Sequence, residues 1–475
     1  MNFEPVIGLE IHVEMKTKSK MFSRAPVTFG AAPNTSVLPL DMAFPGTMPV
    51  VNKQAVINAI RVCDALHLSI DRELWFDRKN YFYSDLPKGY QITQAKRPIG
   101  SNGYLDIEVD GRSKRIEIER LHMEEDTCMQ HHLSDGTLLD YNRAGIPLIE
   151  IVSRPNISSG TEAMKYVEKI RSIVQYADVS DGKMEEGSLR CDVNISLRPY
   201  GATKLGTKCE IKNLNSIANV EKAIEFEISR QEKLLLSGIP VEQETRRYDE
   251  VHKETVLMRK KTDAVDYKYF TEPNITPIVL SEAFIQQALE TRPELADSKK
   301  TRYVQTYGLS DYDANTLLLD KDVSSYFDEA MKHSPLAKLL ANWISVDIAG
   351  YLNKENKTIL EFLIEPKRLA ELVTMIDKGD ISNKQARSVF EGMLTSKDAP
   401  RVLADKLGMT QISDTSAIMK VIAEVVDANP QSVVDFKAGK DRAVGFLIGQ
   451  IMKKTGGKVN PGLTSKLLVE ELKKR

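Results

Sequence analysis

Near its start the chain reads Val6-Ile-Gly-Leu-Glu-Ile-His-Val-Glu-Met15. This alternation puts Leu9, Ile11, Val13 and Met15 on one face of a strand and Glu10, His12 and Glu14 on the other. Two carboxylates flanking an imidazole at every second position resemble one wall of a divalent-cation site, because hard oxygen ligands suit Mg²⁺ and a neutral imidazole can join them. A solvated outer face of an edge strand accounts for the same three residues. Partners from elsewhere in the chain decide between the two.

The same period recurs further on. Leu189, Cys191, Val193, Ile195 and Leu197 alternate with Arg190, Asp192, Asn194, Ser196 and Arg198, and Cys209 and Ile211 alternate with Lys208, Glu210 and Lys212. The intervening Pro199-Tyr-Gly201-Ala-Thr203 has turn composition, and a hairpin centred on Gly201 places Asp192 opposite Glu210. Like charges so placed need a cation, or Arg190, Lys208 and Lys212, to neutralise them. In a third stretch, Ile116 to Asp126, the apolar parity changes between Ile118 and Leu121. A β-bulge near Glu119 or Arg120 is the expected cause, and it leaves either Glu124 or Glu125 facing the site. An acidic surface turn is the plain alternative.

Helical signals are interspersed. One helix follows Asn52 with Val56, Ile60 and Cys63 on a face, and another starts at a Ser159-to-Glu162 capping box and buries Met164, Val167, Ile170 and Val174. The expected architecture is α+β, with an antiparallel-sheet cradle over residues 1–290, a helical domain over 291–408 and a small helical tail domain over 409–475.

Composition narrows the function. The 475 residues carry 65 Lys plus Arg against 67 Asp plus Glu, a net charge of −2, so nucleic acid must be met by a local patch and not by a global polycation. Such a patch exists from Gln431 onward, where ten basic residues face four acidic ones, a local charge of +6, around Lys453-Lys-Thr-Gly-Gly-Lys458. A solvated helical surface would look the same. Cys63, Cys128, Cys191 and Cys209 form no CxxC and read as small buried hydrophobes. No long apolar run is present, so a soluble, cytoplasmic protein is expected. The nearest approach to a phosphate-binding loop, Gly201 to Lys208, runs into a strand and lacks the helix that would complete the cradle. Tyr81-Phe-Tyr83 offers stacking surfaces suited to an adenine ring or another nucleic-acid base, although core packing explains such aromatics as well.

The longer motifs are Gly8 to Glu14, Arg78-Lys-Asn-Tyr-Phe-Tyr-Ser-Asp-Leu-Pro-Lys-Gly-Tyr-Gln91, Glu124-Glu-Asp126, Asn142-Arg-Ala-Gly-Ile-Pro-Leu148, Met184-Glu-Glu-Gly-Ser-Leu-Arg-Cys-Asp192 and Glu210-Ile-Lys-Asn-Leu-Asn215, continuing through Gln243-Glu-Thr-Arg246, Met258-Arg259 and Asp266 to Phe270. Together they resemble those of a known family, the B subunits of the aspartyl/glutamyl-tRNA amidotransferases of bacteria and organelles. Ser84 departs from the family, which more often has proline there. The resemblance implies a glutamine-synthetase-like catalytic cradle that uses ATP and Mg²⁺. In it, Glu10, His12, Glu124 or Glu125, Asp192 and Glu210 would hold the metal and carry the chemistry, and Lys79, Lys88 and Arg190 are the candidates for phosphate or substrate contact, although an ordinary surface charge accounts for each of them alone. It further implies a ligase of protein biosynthesis that phosphorylates the side-chain carboxylate of Glu or Asp misacylated on tRNA. Ammonia would come from a glutaminase A subunit, with a small C subunit completing a heterotrimer. No serine-rich amidase signature or His-paired cysteine supplies that ammonia within this chain. A non-catalytic tRNA scaffold and a ligase acting on a free amino acid are the rival readings; the first would not turn over ATP, and the second would do so without tRNA.

Overall fold

The computed structural model describes residues 3–260, 266–408, 415–437, 442–455, 459 and 461–474. Strand β1 (Phe3–Glu14) keeps the expected alternation, with Leu9, Ile11 and Val13 buried and Glu10, His12 and Glu14 partly open. Four short strands follow: β2 (Ser69–Ile70), β3 (Glu73–Leu74), β4 (Asp77–Asn80) and β5 (Tyr90–Thr93). After them come β6 (Gly100–Val109), β7 (Arg112–Glu125), the hairpin β8 (Met129–His132) and β9 (Thr137–Asp140), and β10 (Pro147–Ser153). Four more strands complete the main sheet: β11 (Leu189–Pro199), β12 (Cys209–Lys212), β13 (Glu244–Asp249) and β14 (Glu254–Lys260).

Nine of these form one sheet in the order β14-β13-β12-β11-β1-β10-β7-β6-β2, antiparallel throughout except between β12 and β13. Three helices, α1 (Lys53–Ala65), α2 (Gly160–Tyr176) and α3 (Ile217–Leu236), pack on its apolar face. The other face carries the polar positions, which is how a one-sided antiparallel sheet makes a cradle. The Asn52 side chain caps α1 by accepting from the Gln54 and Ala55 amides. Ser159 caps α2, but Glu162 reaches back to the Ser158 amide at 2.7 Å and not to Ser159. Ala163 and Tyr166 are buried on α2, while Met164 is only half-buried.

The expected bulge is present. Val152 opposes Arg120 and Ser153 opposes Ile118, so Glu119 is the extra residue and the parity of β7 changes there. The expected hairpin register is not. Asn194, and not Asp192, lies opposite Glu210, while Asp192 pairs with Lys212. Ten residues from Pro199 to Lys208 leave slack that a tight turn at Gly201 would not have, and within them Gly206 crosses so close to β11 that a Cβ would sit 2.0 Å from the Leu197 carbonyl. A slip of two positions preserves side-chain parity, so the polar residues stay on the polar face.

By compactness the chain divides into units Met1–Ala296 and Asp297–Arg475. The second unit is helical and holds two separate apolar clusters, one spanning Tyr303 to Ala404 and one spanning Ile418 to Leu472. Of the basic tail, Lys440, Gly456, Gly457, Lys458 and Arg475 lie outside the described residues. Among the described residues, no helix is long and apolar enough to cross a membrane.

Candidate active site

The central position of β1 assembles the site. Glu10 stands opposite Asp192 of β11, and His12 lies between Arg190 of β11 and Glu150 of β10. One strand further, Glu150 is opposite His122 of β7, and Glu124 follows two residues on. Among the described residues this brings together two groups with the ligand spacing of a metal site: Glu10, His12 and Asp192, and His12, Glu124 and Glu150. Ligand atoms within each group lie within 4.8 Å of one another, and His12 belongs to both. His12 Nδ1 is 3.5 Å from Glu124 Oε1 and 3.8 Å from Glu150 Oε2.

Electrostatics follow from this crowding. Burial, with Glu150 and Asp192 close by, pushes the Glu10 carboxyl up, only partly offset by the Asn194 amide donating to it at 2.9 Å. Burial works against charge on Glu124 as well, but His12 and His122 hold it well below the usual carboxylate range. Glu150 is lowered to about 2, with burial opposed chiefly by His122. Both imidazoles move the other way: burial disfavours their charge, the flanking glutamates outweigh it, and His122 rises to about 9. Lys79 faces the same acids, and Glu124 keeps it charged against the cost of its burial. Its ammonium also lies 4.8 Å from the centre of the Tyr267 ring.

Other expected residues go elsewhere. Glu125 points away from the two groups, its carboxylate bound by Lys88 and by the Ile92 amide at 2.9 Å. Lys88 is therefore committed to Glu125, and of the two candidate glutamates it is Glu124 that meets His12. Glu210 lies beside the cluster but in neither group, bound by the Thr245 hydroxyl at 3.0 Å and by Lys212 at 3.2 Å. Arg190 donates to Asp126 at 2.7 Å from a position opposite His12. Tyr81 is half-buried and edge-on to Tyr267, whereas Phe82 and Tyr83 are exposed.

Pattern reading missed Glu150 and His122. Glu150 is the only charged residue in the otherwise apolar Pro147 to Val152 run, a signal in itself. His122 shares the post-bulge parity of Glu124, so the same parity argument could have found it.

The donor set suits a divalent cation. It offers carboxylate oxygens with one imidazole, and the repulsion by which Glu150 and Asp192 raise Glu10 is of the kind a bound cation relieves. Lys79 and Arg190 at its border suit anionic oxygens.

Residues 5–286 match the family described as the GatB/GatE catalytic domain, and residues 325–472 match the GatB domain. The chain is 51% identical, over all 475 residues and the full length of each relative, to the aspartyl/glutamyl-tRNA(Asn/Gln) amidotransferase subunits B of Bacillus thuringiensis (strain Al Hakam) and Bacillus cereus (strain AH820). At 50% over the same span it matches that of Bacillus cereus (strain AH187). A conserved-length match of this extent, on a cradle whose polar face gathers the acids of four strands, means that the chain belongs to the family of aspartyl/glutamyl-tRNA(Asn/Gln) amidotransferase B subunits.

Proposed function

We propose that this chain is the ligase subunit of a tRNA-dependent amidotransferase, forming Gln-tRNA(Gln) or Asn-tRNA(Asn) from the misacylated Glu- or Asp-tRNA with ATP, Mg²⁺ and ammonia. The observation that carries the reading is the convergence of Glu10, His12, Glu124, Glu150 and Asp192 on the open polar face of the sheet. A free carboxylate is a poor acyl donor because its leaving group is oxide. Transfer of the γ-phosphoryl of ATP to that carboxylate releases ADP and gives an acyl phosphate. Ammonia then attacks the acyl carbon, loses a proton, and expels inorganic phosphate.

In this reading the two carboxylate groups around His12 hold Mg²⁺, which when bound supplies positive charge at the phosphoryl oxygens. Lys79, kept charged by Glu124, neutralises an anionic oxygen at the edge of the same cluster. Arg190 is fixed by Asp126 beside His12 and suits a carboxylate or phosphate oxygen. The exposed Phe82 and Tyr83 suit a stacked base. Ammonia comes from a glutaminase A subunit, with a small C subunit completing the assembly.

The test is ATP turnover by the purified assembly with and without misacylated tRNA. Asp192→Asn and Glu150→Gln each remove a charge without changing volume, and each is expected to lower tRNA-dependent ADP formation by roughly a hundredfold or more while the glutaminase activity of the partner persists. ADP formation at the wild-type rate in both variants would remove the cluster from the chemistry. ADP formation independent of tRNA would favour a free amino acid as substrate.

A further inference from the structure

His122 occupies a place that packing alone does not explain. It is buried at the strand position opposite Glu150, on the polar face of the sheet, and its Nδ1 is enclosed without a hydrogen-bond partner among the described residues. Its other ring nitrogen, Nε2, lies 3.3 Å from Glu150 Oε2 and 3.6 Å from Glu124 Oε2. An apolar side chain of similar size would fill the space without burying an unpaired ring nitrogen, so the imidazole is retained at a cost that a donor to the carboxylates offsets.

Atom by atom, the two histidines divide the glutamates between them. Glu124 turns Oε1 toward His12 at 3.5 Å and Oε2 toward His122. The Thr93 hydroxyl donates to the same Oε2 at 3.4 Å, but it reaches Glu124 alone, whereas His122 lies against both glutamates. Glu150 Oε2 sits between both rings, 3.8 Å from His12 and 3.3 Å from His122. Two like charges on adjacent strands swing apart unless something between them holds both. His12 belongs to both candidate ligand groups, whereas His122 belongs to neither.

We propose that His122 is a positioning residue, a buried donor that holds Glu124 and Glu150 together so that their carboxylates and His12 meet a divalent cation already arranged. The proposal rests on the cation reading above and goes beyond it by naming the group outside the ligand set that fixes the ligands.

Mn²⁺ binding to the full chain, purified with its partner subunits and followed by electron paramagnetic resonance without ATP or tRNA, tests it directly. Glu150→Gln establishes whether the cluster binds the ion at all. His122→Leu removes the donor, and His122→Gln places an amide N–H near the position of Nε2. With Glu150→Gln abolishing binding, the expected result is a Kd raised about tenfold or more in His122→Leu and restored to within about threefold of wild type in His122→Gln. Wild-type affinity in His122→Leu overturns the positioning role and leaves the cation site standing. Equal losses in both His122 variants overturn it too, since shape and not the donor would then matter. Should His122→Leu fail to assemble, His122→Gln decides alone, because a tenfold loss there contradicts the donor role. Unchanged binding in Glu150→Gln means that the ion lies elsewhere, and the cation reading falls together with this inference.

Discussion

Glu14 shows what one buried carboxyl does to the pH response of the cradle. It bonds to Asp126, and burial together with that neighbour raises it to about 8. Asp126 moves down, because Arg190 and Arg143 outweigh its burial, so the pair shares a proton near neutrality. An acid with a folded pKa above its ordinary value of 4.5 binds an extra proton only in the fold. Its stabilising contribution is complete below that ordinary value and is lost as pH rises through about 8. Glu14→Gln fixes the neutral form, and is therefore expected to raise Tm at alkaline pH by about 2 °C or more while changing it little in mild acid, as calorimetry on the metal-free chain would read. A variant that tracked wild type across the whole range would mean that Glu14 is ionised in the fold. At this scale the sequence was informative where parity was unbroken: Glu10, His12 and Asp192 stand where alternation put them. It could not separate Glu124 from Glu125, since a bulge changes which of two neighbours faces inward and the pattern locates the bulge only to within a residue.

Among the elements, the β11 to β12 connection is the informative one. Its two strands were legible as alternating runs, with Cys191 and Cys209 buried on the apolar face. Their register was not, because register is set by the path of the loop and a long loop tolerates several. Gly206 carries that path, passing the Leu197 carbonyl at a distance that admits no side chain. The glycine that made this segment resemble a phosphate loop thus serves a strand crossing. Gly206→Ala sets a methyl against backbone, which cannot rotate away, so a loss of roughly 1–3 kcal/mol in unfolding free energy is expected by denaturant titration. Because β12 carries Glu210 and Lys212, the same variant should also weaken Mn²⁺ binding more than an alanine at the exposed turn residue Thr203 does. Equal stability in the two variants would show that the loop yields freely.

For the whole molecule, charge segregation is the property to test. A chain of net charge −2 concentrates +6 in its last 45 residues, and there Lys453, Lys466, Lys473 and Lys474 are exposed. The tail has its own apolar cluster, Ile418 to Leu472, so its removal takes away a core of its own and leaves the apolar clusters of the sheet and of the preceding helices whole. Truncation after Gly408 is expected to raise KM for misacylated tRNA at least tenfold at moderate salt and to flatten its salt dependence, with ATP binding and partner glutaminase activity retained. Full tRNA affinity in the truncated chain would place recognition in the cradle or the preceding helices.

What the sequence determined by itself was local and periodic: the polar face of β1, the strands around Asp192 and Glu210, the capped starts of α1 and α2, and the change to helix beyond the sheet. Those follow from side-chain period and capping, which act within a few residues. What only the tertiary structure decided was adjacency across the sheet. Strand order placed β1 between β10 and β11, and so brought Glu150 to His12 and His122 to Glu150. The paths of the connecting loops sent Glu125 to Lys88 and Asp192 to Lys212. Which strands become neighbours depends on the burial of whole faces against α1, α2 and α3, a property of the assembled core that no short window of sequence contains.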